Sequence, residues 1–314
     1  MKRVGRLAPS PTGFLHLGHA RTFLLAWWHA RNTGSELLLR IEDLDGPRAR
    51  PEFNDAARRD LEWLGLDWDG APLLQSDGLA ALDRAVEQLL RDGQAYPCVC
   101  TRGDLRLAQS APQLGVSEPR YPGTCRGRYA SLGEAREKSG REPGVRLVVP
   151  PGSVSVHDRF AGEFSADVAA EVGDFLIARR GGQPAYQLAV VVDDAAQGVT
   201  DVVRGEDLLP STVRQWHVRR ALGLASPAHY HVPLVLDEGG RRLAKRADDL
   251  SLSELRDGGT DPRAVVGWAA ASAGLSVPER VTPAQALPGF DFAKVPREPV
   301  TIDDDQIVRL RQAR

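Results

Sequence analysis

The sequence predicts an α/β protein organised around a parallel sheet, and three observations carry that expectation. The stretch from Arg6 to His19 reads as a short strand, a tight Pro/Gly loop and a helix entered near Leu17. Leu37 to Ile41 is a short apolar run, fit for a buried parallel strand, and it ends in the acids Glu42, Asp43 and Asp45. The same texture returns between 186 and 236, so two halves of one fold flank an insertion.

A chain of 314 residues can bury a large core and hold two or three substructures. Charged residues are 26% and hydrophobic ones 42%, ordinary for a water-soluble domain, and the formal net charge of −2 argues against indiscriminate binding to nucleic acid. Charge is nevertheless uneven. Residues 204–246 hold eight Arg/Lys against four acids, a local excess of +4 where a polyanion would dock. No run of 18 apolar residues and no signal-peptide-like start is present, so a cytoplasmic monomer without a membrane partner is expected. Three cysteines, an odd number, point to a metal or to free thiols before disulfides.

In chain order, Gly13 supplies the freedom a tight turn needs and Pro9 and Pro11 stiffen its approach. His16 and His19 then fall in the first turn of a helix over 17–32, with Gly18 between them leaving room for a ligand and free N–H groups offering a phosphate site. Thr33-Gly34 stops that helix. Acids at the carboxyl end of the 37–41 strand are placed to meet a ligand, with Asp45 the one best read as a helix cap. Helices follow at about 51–64 and 77–92, the second entered by Ser76-Asp77.

From Tyr96 the texture shifts. Cys98-Val99-Cys100 and Tyr121-Pro122-Gly123-Thr124-Cys125 suggest an insertion with its own staple, with short strands near 145–149, 154–158 and 175–180. Tyr186 to Asp194 is a buried helix or strand that periodicity alone cannot assign. A strand ending at Arg204 and a helix over 211–222 come next, then a basic turn, Arg242-Leu243-Ala244-Lys245-Arg246, and a helical stretch over 261–273. This gives four segments: 1–95 and 186–236 as the halves of one α/β fold, 96–185 as the insertion, and 237–314 as the basic turn with a short helical C-terminal part.

The segments R-L-A-P-S-P-T-G-F-L-H-L-G-H-A-R-T and L-L-L-R-I-E-D-L-D closely resemble the glutamyl-tRNA synthetase family of class I aminoacyl-tRNA synthetases. His16-Leu17-Gly18-His19 stands at that class's HIGH signature, and residues 242–246 resemble its KMSKS signature, with Arg242 and Ala244 departing from it. The resemblance implies a Rossmann-type catalytic fold, with ATP and Mg²⁺ entering as substrate and His16, Gly18, His19, Arg242 and Lys245 around the nucleotide. It implies catalytic roles for His16, His19 and Lys245. Arg6 through Ser10 (with Leu7, Ala8 and Pro9 between), Glu42, Tyr186 and Arg204 match positions that hold L-glutamate. That assignment suits the chemistry, since an anionic side chain asks for arginine and an α-ammonium for a carboxylate. Tyr186 has a plain alternative as a core aromatic.

Cys98, Cys100 and Cys125 are one thiolate short of a tetrahedral zinc set. Gly127 stands where some members carry histidine, which leaves Tyr121 as the candidate fourth ligand of one structural zinc; buried free cysteines are the alternative. The C-x-C…Y-x₃-C form resembles a shortened subgroup that joins glutamate to queuosine in the anticodon of tRNA(Asp), and only 68 residues follow Arg246, too few for a large anticodon-binding domain. Expected partners are therefore L-glutamate, ATP and queuosine-bearing tRNA(Asp), with adenylate formed before tRNA is needed. Three rival expectations stand beside this. A truncated or discriminating enzyme would charge a tRNA 3′ end, a small-molecule nucleotidyltransferase would share only the histidine loop, and a non-catalytic RNA-binding paralogue would have lost histidines or Lys245.

Overall fold

The computed structural model describes residues 2–44, 49–107, 120–243 and 251–314. Strand Val4–Leu7 pairs in parallel with Glu36–Ile41, which pairs in turn with Leu73–Leu74. Parallel neighbours need a crossover, and here it is the helix Leu17–Asn32. Leu17, Leu24, Leu25 and Trp28 of that helix are fully buried, so it packs as a core element rather than a surface one. Thr33 caps it and Gly34, at φ 64°, turns the chain back toward the sheet.

A second parallel ladder joins Asp201–Gly205 to Ala228–Val232. It lies on the other side of the first strand. The Thr200 N–H donates to the Val4 carbonyl at 2.9 Å, and Thr200 Oγ1 accepts from the Val4 N–H at 2.9 Å. The chain thus leaves Val4–Leu7 in one direction and returns to it from the other, and ligands gather outside the carboxyl ends of strands at such a reversal. The ambiguous run after Ala185 is a helix, Tyr186–Ala196, at eleven residues longer than buried strands usually are. A further helix, Leu209–Leu222, ends on Gly223 at φ 68°.

Between these halves lies a different texture. Ala95–Cys98, Gly144–Leu147 and Leu176–Ala178 form an antiparallel sheet, and Val154–Asp158 with Gly162–Ala166 forms a hairpin. The hairpin alternates half-buried and exposed residues, as a one-sided antiparallel pair should.

Two expectations shift. Ser76-Asp77 does not open an α-helix. Asp43 accepts from the Ser76 N–H (2.9 Å) and hydroxyl (2.7 Å), fixing a 3₁₀ turn over Gln75–Gly78, and the helix begins at Leu79. The C-terminal part carries more than one helical stretch: Leu252–Asp257, Pro262–Ser272, Pro283–Ala286 and Asp304–Gln312. Asp303 and Gln306 cap the last of these reciprocally, a start signal present in the sequence. Among the described residues no helix is long and apolar enough to cross a membrane.

Candidate active site

The turn between the first strand and the first helix is built by its own histidines. His16 is the N-cap residue, and its Nδ1 accepts from the Gly18 N–H at 3.1 Å. His19 Nδ1 accepts from the His16 N–H at 3.2 Å, and the rings lie with centroids 3.8 Å apart. Backbone amides are donors only, so both Nδ1 atoms are unprotonated and each neutral ring carries its hydrogen on Nε2. Gly18 follows from this. A Cβ there would stand 3.0 Å from His16 Cε1 and 3.1 Å from Nδ1, so any larger residue would crowd the His16 ring. The expectation of free amides at this helix start is corrected at Gly18, whose N–H is already taken by His16 Nδ1.

At the carboxyl ends of the strands the expected glutamate residues converge. The Glu42 N–H donates to the Pro9 carbonyl at 2.9 Å, and Ser10 Oγ donates to Glu42 Oε2 at 3.2 Å. Arg40 Nη2 donates to Glu42 Oε1 at 3.0 Å, holding that carboxylate in place. Arg6 is buried and donates to the Val203 carbonyl at 3.1 Å, with Asp194 Oδ1 3.8 Å from its Nε; burial lowers its pKa. Leu7 and Pro9 are buried and Ala8 is partly so, which leaves these three to offer backbone rather than side-chain chemistry. Burial raises the Tyr186 phenol, which also feels Arg204, Glu42, Arg6 and Asp194, so it belongs to the same cluster.

Arg204 differs from its neighbours. Its partners are His231 Nε2, Thr212 Oγ1 and Gln215 Oε1, each at 2.9 Å, and the Leu208 carbonyl at 3.5 Å. All are neutral. Among the described residues no carboxylate pairs with this guanidinium, although it is 4% exposed. A buried cation without a counter-charge is expensive unless something anionic arrives.

Of the basic turn, Arg242 lies at the edge of the described residues, and its Nη1 is paired with Asp207. Lys245, with Ala244 and Arg246, lies outside the described residues, as does Asp45. The chain re-enters beside the histidines: the Leu252 N–H donates to the Leu15 carbonyl at 2.7 Å, and Ser251 bridges to His16. Among the described residues of 204–246, four of the arginines do not add to one free basic face. Arg204 and Arg219 point inward, Arg219 meets Asp194 at 3.2 Å, and Arg241 and Arg242 each meet an acid.

The cysteines lie together. Cys98, Cys100 and Cys125 sulfurs are within 4.8 Å of one another, Cys100 and Cys125 at 3.5 Å. Tetrahedral zinc with bonds of about 2.3 Å needs sulfurs about 3.8 Å apart, so the spacing fits. The Tyr121 hydroxyl is 3.5 Å from Cys98 Sγ and 3.9 Å from Cys100 Sγ, and accepts from the Cys125 N–H at 2.8 Å. Arg146 lies 3.7 Å over the Tyr121 ring and donates to Cys98 Sγ at 3.2 Å. Burial and the neighbouring Cys98 push the Cys100 thiol up to about 12. Gly173 keeps Tyr121 there, since a Cβ would fall 2.2 Å from the Tyr121 carbonyl oxygen.

Sequence reasoning missed the residues that hold this site. Arg40, buried within an apolar strand, meets Asp194 at 2.9 Å; Asp158, at the end of the insertion's hairpin, meets His231 at 2.6 Å. A charged residue inside an apolar run was the signal for Arg40 and Asp194. Nothing local marked Asp158.

The family described as "tRNA synthetases class I (E and Q), catalytic domain" matches residues 3–280. A glutamyl-Q tRNA(Asp) synthetase of Symbiobacterium thermophilum is 46% identical, over 98% of both chains. Another of Rhodopirellula baltica is 43% identical over 96% of this chain and 97% of its own. The fold is also similar to a glutamate tRNA ligase from Elizabethkingia meningosepticum solved in complex with its amino acid, with a TM-score of 0.84 and 27% identity over 99% of this chain and 69% of that one. With the family matched over most of its length and these relatives covered almost end to end, the chain belongs to the glutamate and glutamine branch of the class I tRNA synthetases, as an ATP-using ligase.

Proposed function

We propose that this enzyme forms glutamyl-adenylate from L-glutamate and ATP without tRNA, and then transfers the glutamate to the queuosine base in the anticodon of tRNA(Asp). The observation that carries the amino-acid half is Arg204, a buried guanidinium held by neutral acceptors beside Tyr186, Arg6 and the Ser10–Glu42 pair. An incoming side-chain carboxylate supplies the missing counter-charge, and Glu42, fixed by Arg40, receives the α-ammonium. The α-carboxylate, already ionised, attacks the α-phosphorus, and pyrophosphate leaves with its electron pair. No general base is needed. His16 and His19 donate through Nε2–H to phosphate oxygens, while Lys245 and Arg242 stand in the role of neutralising the leaving group.

Mg²⁺ enters with ATP and balances phosphate charge. Zinc fits Cys98, Cys100, Tyr121 and Cys125, where it supplies structure rather than chemistry. In the second step a hydroxyl of queuosine's cyclopentene ring attacks the activated carbonyl carbon, its proton is lost and AMP departs. The reading of the acceptor rests on relatives of that name matching this chain almost end to end. Segments 1–95 and 186–236 then form the catalytic halves, 96–185 the zinc-bearing insertion, and 237–314 the part nearest the RNA stem.

Radiolabelled glutamate offered with queuosine-containing tRNA(Asp), queuosine-free tRNA(Asp) and tRNA(Glu) tests this directly. Label on the first alone, resistant to removal of the 3′ adenosine, is the expected result. Label on a 3′ adenosine overturns it in favour of ordinary charging, the reading that the likeness to a glutamate tRNA ligase supports.

A further inference from the structure

We propose that Asp158 and His231 are positioning residues for amino-acid selection: the carboxylate locks His231 as its Nδ1–H tautomer, and the Nε2 lone pair so exposed orients Arg204 toward the substrate. The inference rests on Arg204 as the glutamate-side-chain partner, and deepens that reading.

The tautomer follows from hydrogen-bonding capacity. A guanidinium nitrogen only donates, so Arg204 Nε, 2.9 Å from His231 Nε2, requires an unprotonated Nε2. An ionised carboxylate only accepts, so Asp158 Oδ2, 2.6 Å from His231 Nδ1, requires a hydrogen there. The ring is therefore neutral with one assignable orientation. Asp158 is itself over-determined. Its Oδ1 accepts from the N–H groups of Phe160 (2.9 Å), Ala161 (2.7 Å) and His231 (3.1 Å). Those donors outweigh the cost of burial and favour the ionised form.

Arg204 is then gripped along one edge. Nε goes to His231 and Nη2 to Thr212 and Gln215, while Nη1 has no hydrogen-bond partner among the described residues. Gln215 is held in turn by Gln187 at 3.0 Å, so the Nη2 side is also braced. A planar guanidinium pinned through Nε and Nη2 presents Nη1 in a fixed plane, where a carboxylate oxygen can accept from it. The chain of contacts also carries a charge argument. A protonated His231 would turn a donor toward Arg204 and add a second buried cation, so the site excludes that state. The insertion, through the last residue of strand Val154–Asp158, thus helps to set what the parallel sheet binds.

The test is steady-state pyrophosphate exchange with tRNA present, varying glutamate and ATP separately. Asp158→Asn can donate to Nδ1 and so favours the other tautomer, turning Nε2–H against Arg204. His231→Leu removes the acceptor, whereas His231→Gln keeps one near Nε2. We expect Asp158→Asn and His231→Leu to raise KM for glutamate about 10- to 100-fold with KM for ATP within about twofold, and His231→Gln to recover most of the loss. A merely structural role would move both KM values together, or would not distinguish Gln from Leu. Arg204→Ala is run beside them. If it abolishes glutamate saturation while Asp158→Asn and His231→Leu behave as wild type, the positioning role falls; if Arg204→Ala itself behaves as wild type, the glutamate reading falls first. Should a substitution at 231 prevent folding, the isosteric Asp158→Asn decides alone.

Discussion

The sheet edge and the cysteine cluster are both polar places inside the protein, yet they are closed in opposite ways. At the sheet edge the partners come from strands and helices far apart in sequence, and nearly every charge is answered by protein: Arg40 and Arg219 by Asp194, Glu42 by Arg40 and Ser10, Asp158 by the His231 Nδ1–H and backbone amides. One charge, on Arg204, meets neutral groups alone. At the cysteine cluster the donors span only residues 98–125, and their sulfurs converge within 4.8 Å of one another. The difference teaches where each region's specificity resides. A site with one uncompensated charge selects a ligand that comes and goes; a site with several converging donors asks for an ion that stays.

The comparison is most open to breakage at Lys245. If it neutralises the leaving group, Lys245→Ala costs ~3–4 kcal/mol of transition-state stabilisation, about 10²–10³ in pyrophosphate exchange, with an unchanged melting temperature. Wild-type exchange would remove Lys245 from the chemistry. Arg204→Ala tests the uncompensated charge: glutamate binding should weaken by about 3 kcal/mol, and the preference for the acid over glutamine should collapse. Retained discrimination between acid and amide would show that the counter-charge lies elsewhere.

The cysteine cluster should respond in the opposite currency. Metal analysis of protein purified without chelator should find one zinc per chain, and Cys100→Ser should lower stability by about 2 kcal/mol and impair RNA transfer while ATP binding holds. Protein that is zinc-free yet equally stable would favour buried free thiols. Acid unfolding sharpens the contrast on the sheet side. The Asp158 carboxyl is held at about 2, because hydrogen bonds from His231 and Ala161 outweigh the upward push of burial. Its folded value lies below the unfolded one, so its contribution, about 2 kcal/mol, is present above pH 4 and is lost as pH falls through 2. Asp158→Asn should flatten that part of the stability curve. The smallest effect is expected at Gly18→Ala, where a new Cβ presses on the His16 ring and loosens the cap by about 1 kcal/mol, read as roughly a fivefold slower activation.

What could be read in the sequence follows the reach of each interaction. The strand, turn and helix around His16 were legible because their determinants lie within a dozen residues, and the Cys/Tyr spacing was legible for the same reason. The support beneath the site was not. His231 reaches Arg204 across 27 residues and Asp158 across 73, and no local pattern encodes either meeting. The count of basic residues over 204–246 misled for a related reason. Composition cannot say which face a side chain takes, and Arg204 and Arg219 face the core. Gly18 was singled out for ligand access, and the structure adds a neighbour that the sequence did not indicate, the His16 imidazole beside it.

The hydrogen bonds that join Thr200 to Val4 span 196 residues, and they have a consequence for biogenesis. On a ribosome adding about 5–20 residues per second, the first strand waits roughly 10–40 s for its second neighbour. Throughout that interval one edge of Val4–Leu7 is an open template, and the Arg6 guanidinium has neither the Val203 carbonyl nor Asp194 to meet. The amino-terminal half therefore emerges as a nascent-chain intermediate that chaperones are suited to shield, and the reaction centre is assembled last, when the returning strand docks.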